Sequence, residues 1–229
     1  MNGDREAILG RISEALREEA PRHHEAPSKA GTHTVTAPFR EWMPPGGESH
    51  TARVATFAKL SEMLRTEFKK CTTISAAAKH IAKLASEDGW KTLALHRGAL
   101  TDAIAAELPA SLALLRIDAG YDRDALEASD AGLTECESLV AQTGSVCITT
   151  LSSGGRTLSV LPPHHIVIAR KEQLVADLPA AYEQLAQKYG ANYPSFVGFI
   201  TGPSRTGDIE RILVLGAHGP KKLTVILVP

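Results

Sequence analysis

The residues best suited to bind a small ligand lie in short polar loops of the C-terminal half. One loop, TGPSRTGDIE at residues 201–210, combines glycines, hydroxyls and a single arginine. Gly202 lets backbone approach a ligand closely, and Ser204 and Thr206 offer hydroxyl groups. Arg205 can form a bidentate contact with a carboxylate or phosphate. The spacing of these residue types favours a site for a small anion.

An ordinary structural role explains the same loop equally well. Thr206 or Asp208 could act as the N-cap of a short helix, DIERIL, while Pro203 and Gly207 shape the turn before it. Composition by itself leaves both interpretations of the loop at 202–208 open.

Three further polar loops lie next to predicted strands. Loop 152–157 (SSGGRT) has paired glycines and Arg156, but such loops are often only mobile connections. Loop 142–145 (QTGS) could offer donors to an anion or simply form the turn that enters a strand. Because open α/β sheets bind ligands at the carboxyl ends of their strands, we expect the binding loops at that edge. Together with loop 216–220, they give the predicted ligand-binding residues Gln142, Thr143, Gly144, Ser145, Arg156, His218 and Gly219.

Histidines are the natural acid–base candidates, because neutral imidazole both donates and accepts a hydrogen bond. His218 lies between Gly216 and Gly219 and is the candidate catalytic residue. His164 and His165 open a predicted strand, where one must face away from the side that the other occupies. No H-E-x-x-H or related spacing predicts a metal site. The acidic residues nearest the polar loops are Glu135, Glu137, Asp208 and Glu210, and no pair among them has the pattern of a dedicated acid–base dyad.

Alternating helical and strand patterns predict the scaffold that carries these loops. Helical periodicity marks residues 4–19, 51–69, 75–89, 98–108 and 176–189, and strand patterns mark 91–96, 111–117, 145–150, 165–170, 195–200 and 223–228. Several strands are continuously apolar, which indicates burial on both faces. We therefore expect a three-layer α/β domain over residues 49–229, preceded at 1–48 by a helix and a Pro-, Gly- and His-rich arm.

Length, charge and cysteine usage narrow the classes of partner. The 229 residues have a net charge of -1 and 43% hydrophobic content, which argues for a real core and against nucleic-acid or membrane-surface binding. No apolar run reaches the roughly 18 to 20 residues of a membrane span, and no signal-peptide core is present, so we expect a cytoplasmic protein. Cys71, Cys136 and Cys147 form no C-x-x-C pair, so the chain is not expected to hold an iron–sulfur cluster by itself.

Three blocks of the sequence resemble the lactate utilization protein C family, the LUD domain proteins: LTECESLVAQTGSVCITT, LSVLPPHHIVIAR and TGPSRTGDIERILVLGAHGPKKLTVILV. The resemblance covers roughly residues 50–229. It implies a Rossmann-like fold similar to the NagB/RpiA/CoA transferase group, and a role beside two iron–sulfur subunits in oxidising L-lactate to pyruvate. The clusters would then lie in those partners. It also favours the anion interpretation of loop 202–208, with a small carboxylate or a phosphate-bearing cofactor as the ligand.

One departure from the family pattern bears on catalysis. The family usually has a glutamate where this chain has Gln142, so an acid that could act as base or nucleophile is missing. Two other functions stay open. The chain could be a free-standing acyl or CoA transferase, or a sugar-phosphate isomerase, that uses His218 or a nearby carboxylate as its acid–base group. It could also be an adaptor that docks a partner or a second copy of itself, as in a homo-oligomer, through its N-terminal helix and arm.

Overall fold

The computed structural model describes residues 2–15, 17, 44–118, 120, 122–206, 214–216 and 218–229. The chain divides into two compact units, Met1–Trp42 and Met43–Pro229. The first unit contributes helix α1 (Asn2–Ala15), on which Ile8 and Leu9 are exposed. The Pro-, Gly- and His-rich arm predicted from the sequence falls mainly on residues 18–43, which lie outside the described residues.

The second unit is built on a sheet of six parallel strands. They are β1 (Glu67–Lys70), β2 (Thr92–Leu95), β3 (Ala113–Arg116), β4 (Ala131–Thr134), β7 (His164–Arg170) and β12 (Lys222–Val228), in the order β1-β12-β7-β4-β2-β3. The central strands β7 and β12 pair from His164 opposite Lys222 to Arg170 opposite Val228. This sheet confirms the predicted α/β fold.

A second, smaller sheet packs against one face of the first. Its strands are β5 (Ser138–Val140), β6 (Ser145–Thr149), β8 (Leu174–Val175) and β9 (Val197–Ile200), in the order β8-β5-β6-β9. Strand β6 runs antiparallel to both of its neighbours. Beyond β9, a short antiparallel pair is formed by β10 (Arg205–Thr206) and β11 (Val214–Leu215).

Helices complete the layers on either side of the parallel sheet. They are α2 (His50–Met63), α3 (Ile74–Asp88), α4 (Ala99–Ala105), α5 (Arg123–Glu127) and α6 (Leu178–Tyr189), with a 3₁₀ turn at Lys171–Gln173. Helices α3 and α4 cover one face, where Ile81 and Ile104 pack with Ile166. Helix α2 and the second sheet cover the other face, where Phe57 and Val146 pack with Val225. Each face of the parallel sheet therefore has its own apolar core.

The predicted helix over residues 51–69 is wrong at its C-terminal end, because α2 stops at Met63 and residues 67–70 form strand β1. Arg65 adopts a left-handed φ of 60°. Its amide donates to the Glu62 carbonyl at 3.0 Å, and the Thr66 amide donates to the Ser61 carbonyl at 2.8 Å. These two bonds are a Schellman motif, which usually has glycine at the position of Arg65. Without that glycine the sequence gives no stop signal.

Candidate functional site

A cavity of about 190 Å³ lies between the parallel sheet and the second sheet. Its apolar walls include Ile148, Phe196, Ile200 and Leu223, and its polar lining residues are His165, Ser159, Ser204 and His218. An apolar cavity with a few polar groups is typical of small-molecule sites, and sites for drug-sized ligands occupy roughly 300 to 1,000 Å³. The smaller volume found here favours a ligand of only a few heavy atoms.

Two of the predicted binding loops meet at this cavity. The Ser204 amide donates to the Pro220 carbonyl and the Gly216 amide donates to the Ser204 carbonyl, each at 2.9 Å. An added Cβ on Gly219 would lie 3.3 Å from Cβ of Ser204, so the two loops are in contact. The structure thus brings the predicted residues Gly202, Ser204, His218 and Gly219 to one cavity wall.

The position of this cavity corrects the expectation that the binding loops lie at the carboxyl edge of the parallel sheet. His165 and Leu223, which line the cavity, are the second residues of β7 and β12, so the cavity lies at the amino ends of these strands. The reason is topological. Residues 218–220 enter β12, and residues 202–204 follow β9, which belongs to the second sheet.

His165 supplies a buried polar group to the cavity. The residue is only 1% exposed, and its Nε2 lies 2.8 Å from the Thr134 hydroxyl oxygen. Its Nδ1 is buried and has no hydrogen-bond partner among the described residues. An unpartnered buried nitrogen costs about 1 to 3 kcal/mol. Burial, reinforced by neighbouring His164, lowers the pKa of His165 to about 3, so the ring is neutral at physiological pH.

His164 faces the opposite side of the sheet, as two successive strand residues must. Its Nε2 lies 2.8 Å from the Thr224 hydroxyl oxygen, and its ring meets Trp90 edge-on at 5.1 Å between centroids. Burial, together with the charge of Lys222, lowers its pKa to about 4 against the opposing effect of Asp88 and Glu67. The contacts of His164 are with the layer of helix α3 and not with the cavity.

One residue of loop 152–157 lies beside a wall of the cavity without lining it. The guanidinium carbon of Arg156 lies 5.2 Å from the centroid of the Phe196 ring, and Phe196 lines the cavity. The rest of the loop turns inward on the protein itself. Ser153 Oγ lies 2.6 Å from the Thr149 carbonyl, and Gly154 packs directly on His96. Arg156 is therefore the residue of this loop that could reach a ligand.

Loop 142–145 packs on the end of α2, away from the cavity lining. An added Cβ on Gly144 would lie 2.9 Å from Leu64 Cδ1 and 3.0 Å from Leu60 Cβ. The side-chain amide of Gln142 donates through Nε2 to the Pro44 carbonyl at 2.9 Å, and Ser145 Oγ lies 2.7 Å from Thr201 Oγ1. The Thr143 hydroxyl is buried and has no partner in the part of the chain that the structure describes. These contacts hold the ends of neighbouring elements together.

Changing Gln142 tests that anchoring role. Gln142→Ala should lose the bond to the Pro44 carbonyl, and Gln142→Glu should also place a carboxylate against that oxygen. We expect the free energy of unfolding in urea to fall in the order Gln, Ala, Glu, by about 1 kcal/mol in total. Equal stability of all three proteins would contradict the role.

The remaining predicted residues lie in or beyond the β10–β11 pair. Arg205 is exposed and Thr206 is half-buried, and they pair with Leu215 and Val214 through the backbone. Neither lines the cavity, but Nη2 of Arg205 would lie 3.4 Å from an added Cβ on Gly202, which does. Asp208, Glu210 and the alternative helix DIERIL lie at residues 207–213, outside the described residues.

Comparison with known proteins places the chain in a family. The model of the LUD domain matches residues 54–228, about three quarters of the chain. The chain belongs to the LUD domain family. Curated relatives are the proteins named Lactate utilization protein C from Shouchella clausii (39% identical over 103 residues), Geobacillus thermodenitrificans (39% over 107) and Bacillus subtilis (38% over 104). Each match covers 44–46% of this chain and 43–45% of the relative, so the chain spans just under half the length of the curated relatives it matches.

A solved structure supports the fold of this LUD domain. The crystal structure of a DUF162 family protein from Deinococcus radiodurans superimposes with a TM-score of 0.63 at 22% identity. The similarity covers 80% of this chain and all of the other. Among the helices that the structure describes, none is long and apolar enough to cross a membrane.

Two acidic residues near the polar loops of the LUD domain, Glu135 and Glu137, are structural anchors. Glu135 accepts hydrogen bonds from the amides of Leu100 at 2.7 Å and Thr101 at 3.2 Å, at the start of α4. Glu137 accepts from Lys188, Tyr189 and Thr149 at 2.6 to 2.8 Å. Burial would raise the Glu137 pKa, but these hydrogen bonds outweigh burial and lower it. Neither carboxylate lines the cavity.

The cysteines of the LUD domain are buried and free. Burial raises the pKa of Cys71 and Cys136, and it raises that of Cys147 to about 11. No group of three or more His, Cys, Asp or Glu side chains among the described residues could hold a metal ion.

Because the thiolate is the reactive form, these thiols should react slowly with Ellman's reagent at pH 8 while the protein is folded. All three should react within seconds once guanidinium unfolds the chain. A thiol that titrates rapidly in the folded protein would contradict the burial seen here.

Sequence reasoning did not single out Ser159 and Phe196, and it named His165 as one of three candidate histidines while favouring a structural role for it. The pair His164-His165 did carry a usable signal, since one of two adjacent strand residues faces each side of a sheet. Which of the two meets a ligand depends on where the second sheet packs, and the apolar pattern of β6 and β9 does not show that they leave the parallel sheet.

Proposed function

We propose that this chain acts in lactate utilization, as a subunit of a complex that oxidises L-lactate to pyruvate with the help of iron–sulfur partner subunits. Membership of the LUD domain family and relatives named Lactate utilization protein C support the role. The cavity between the two sheets is the proposed binding site for the small anion.

One observation supports this cavity as the binding site. The loops that the family resemblance singles out, at residues 202–204 and 218–220, are bonded to each other and close one small cavity. The donors in the lining are the Ser204 hydroxyl and the exposed His218 ring. Two guanidinium groups lie beside lining residues, that of Arg156 over Phe196 and that of Arg205 next to Gly202. Charge-assisted bonds from arginine to a carboxylate are strong and directional. A short carboxylate is therefore the class of ligand that suits the volume and the donors together.

The oxidation itself needs an electron acceptor. Converting lactate to pyruvate breaks the C2–H and O–H bonds and releases two electrons and two protons. The buried thiols and the lack of a metal-binding group among the described residues do not fit an iron–sulfur cluster. We assign the electron acceptor to two iron–sulfur partner subunits, and to this chain the binding of the anion.

Isothermal titration calorimetry on the full chain tests the anion site. The titrants are L-lactate, pyruvate and inorganic phosphate, the last of these standing for a phosphate-bearing ligand. We expect Arg156→Ala and Ser204→Ala to weaken binding of the preferred anion about tenfold, by losing one hydrogen bond each. Arg123→Ala, which removes an exposed arginine from α5, is the matched control.

The same titration compares the two arginines of the predicted binding loops. Both are exposed and neither lines the cavity, but Arg156 lies over Phe196, and Nη2 of Arg205 would lie 3.4 Å from an added Cβ on Gly202. We therefore expect Arg205→Ala to weaken binding about as much as Arg156→Ala. Absence of binding by all three anions, or identical binding by every variant, would overturn the site. Turnover of CoA esters or sugar phosphates by the purified chain alone would instead support the free-standing enzyme.

A further inference from the structure

We infer that His165 is the residue that recognises the oxygen on carbon 2 of the ligand, and that it fits both a 2-hydroxy acid and the corresponding 2-oxo acid. The inference rests on the proposed function, since it assumes that a short carboxylate enters the cavity between the sheets. It adds a residue that positions the ligand, and it explains how the site would distinguish one short carboxylate from another.

The contacts of His165 leave one ring nitrogen available. The imidazole lines the cavity, and its Nε2 is taken up by the Thr134 hydroxyl at 2.8 Å. Its Nδ1 is buried and without a partner among the residues that the structure describes. Buried polar groups in folded proteins are normally hydrogen-bonded. Among the unpartnered buried side-chain atoms of the described residues, His165 Nδ1 is the one whose residue lines the cavity, so a ligand in the cavity is the partner that we assign to it.

The hydroxyl of Thr134 makes this nitrogen adaptable. A neutral imidazole has one N–H group and one bare nitrogen, and a threonine hydroxyl can either donate or accept. When Thr134 accepts from Nε2–H, Nδ1 is bare and accepts from an alcohol. When Thr134 donates to Nε2, Nδ1 carries the proton and donates to a carbonyl. The same pair can therefore hold a hydroxyl or an oxo group without any change of charge.

The orientation of the ligand follows from charge and burial. A buried neutral ring cannot compensate the charge of a carboxylate, so the carboxylate belongs near the exposed His218 and near Ser204. The apolar side chains of Ile148, Ile200 and Leu223 leave room for a short alkyl group. The chemical class is thus a short acid with one oxygen on carbon 2.

Calorimetry with three matched acids tests the contact on the wild-type chain. L-lactate, pyruvate and propionate differ only at carbon 2, where propionate has no oxygen. We expect lactate and pyruvate to bind at least about tenfold more tightly than propionate, because only they fill the hydrogen bond at Nδ1. Equal affinity for all three acids would contradict the role of His165, while the anion site would remain supported. If none of the three acids bound, both the anion site and the role of His165 would be contradicted.

Two substitutions locate the effect on the ring nitrogen. The amide of His165→Asn stands near the position of Nδ1, whereas the amide of His165→Gln stands near that of Nε2. We expect His165→Asn to keep most of the preference for lactate over propionate, and His165→Gln to lose it. The reverse order would overturn the inference.

Nitrogen NMR reports the tautomer directly and does not depend on a variant that folds. With ¹⁵N-labelled histidine in the wild-type chain, pyruvate should shift the His165 tautomer toward protonated Nδ1, and lactate should shift it toward protonated Nε2. A single tautomer that neither acid changes would contradict the adaptable contact.

Discussion

Replacing Glu137 with alanine is expected to lower the free energy of unfolding by about 3 kcal/mol, because hydrogen bonds to a charged group contribute roughly 1.5 to 3 kcal/mol each. The side chain of Glu137 is only 6% exposed. This residue directly precedes β5, and it bonds to α6 through Lys188 and Tyr189 and to β6 through Thr149. Lys188 is 58% exposed and can be solvated after the change, so the loss stays below the sum of the three bonds. Denaturation in urea at pH 7 measures the effect.

The same carboxylate predicts how stability depends on pH. Its folded pKa lies below the reference value of 4.5, so the unfolded chain binds more protons between the two values. Its contribution to stability is complete above the unfolded pKa and is lost as the pH falls through the folded pKa. Glu137→Gln should therefore flatten the decline of stability in acid.

The neighbouring carboxylate of Glu172 serves as the control. Its side chain is 64% exposed, with Lys171 at 3.7 Å, so Glu172→Gln should change stability by less than about 1 kcal/mol. If Glu137→Gln and Glu172→Gln lowered the free energy of unfolding equally at pH 7, the anchoring role of Glu137 would be ruled out.

Much of the fold can be predicted from the sequence because local pattern and tertiary structure agree there. Continuously apolar segments such as HIVIAR become β7, at the centre of the parallel sheet. Helix α3 begins at an N-cap, Thr73, and ends at Gly89 in a left-handed conformation, and both signals are legible in sequence. Strand β1 is different, since its pairing with β12 joins residues more than 150 positions apart. No local pattern encodes such a contact.

The candidate site is less predictable because its parts come from two sheets. The motif loops around Ser204 and His218 could be found from residue types and from the family resemblance. Their meeting with His165 depends on the second sheet packing over the amino ends of β7 and β12. Loop 142–145 shows the converse, since its glycine and hydroxyls look like an anion site while Gly144 in fact makes room for helix α2.

Gly154 is expected to be among the glycines least tolerant of substitution, and Gly154→Ala should destabilise the fold by about 3 kcal/mol. Part of the loss, about 1 to 2 kcal/mol, comes from its left-handed φ of 63°. The rest, about 1 to 3 kcal/mol, comes from overpacking. An added Cβ would overlap Cβ of His96 and lie 2.7 Å from its Cγ. His96 is 3% exposed, and its Nδ1 lies 2.8 Å from the Arg97 carbonyl, so it has little room to move.

Gly89 separates the two causes, because it has a similar φ of 69° and no neighbour within 4 Å of an added Cβ. Gly89→Ala should therefore cost only the backbone part, about 1 to 2 kcal/mol. The difference between the two variants, measured by urea denaturation, isolates the packing of the glycine on His96. A difference near zero would mean that the loop can move away from His96, and it would contradict packing as the reason for a glycine at position 154. The expected difference means that the contact with His96, in addition to the left-handed backbone, requires glycine there.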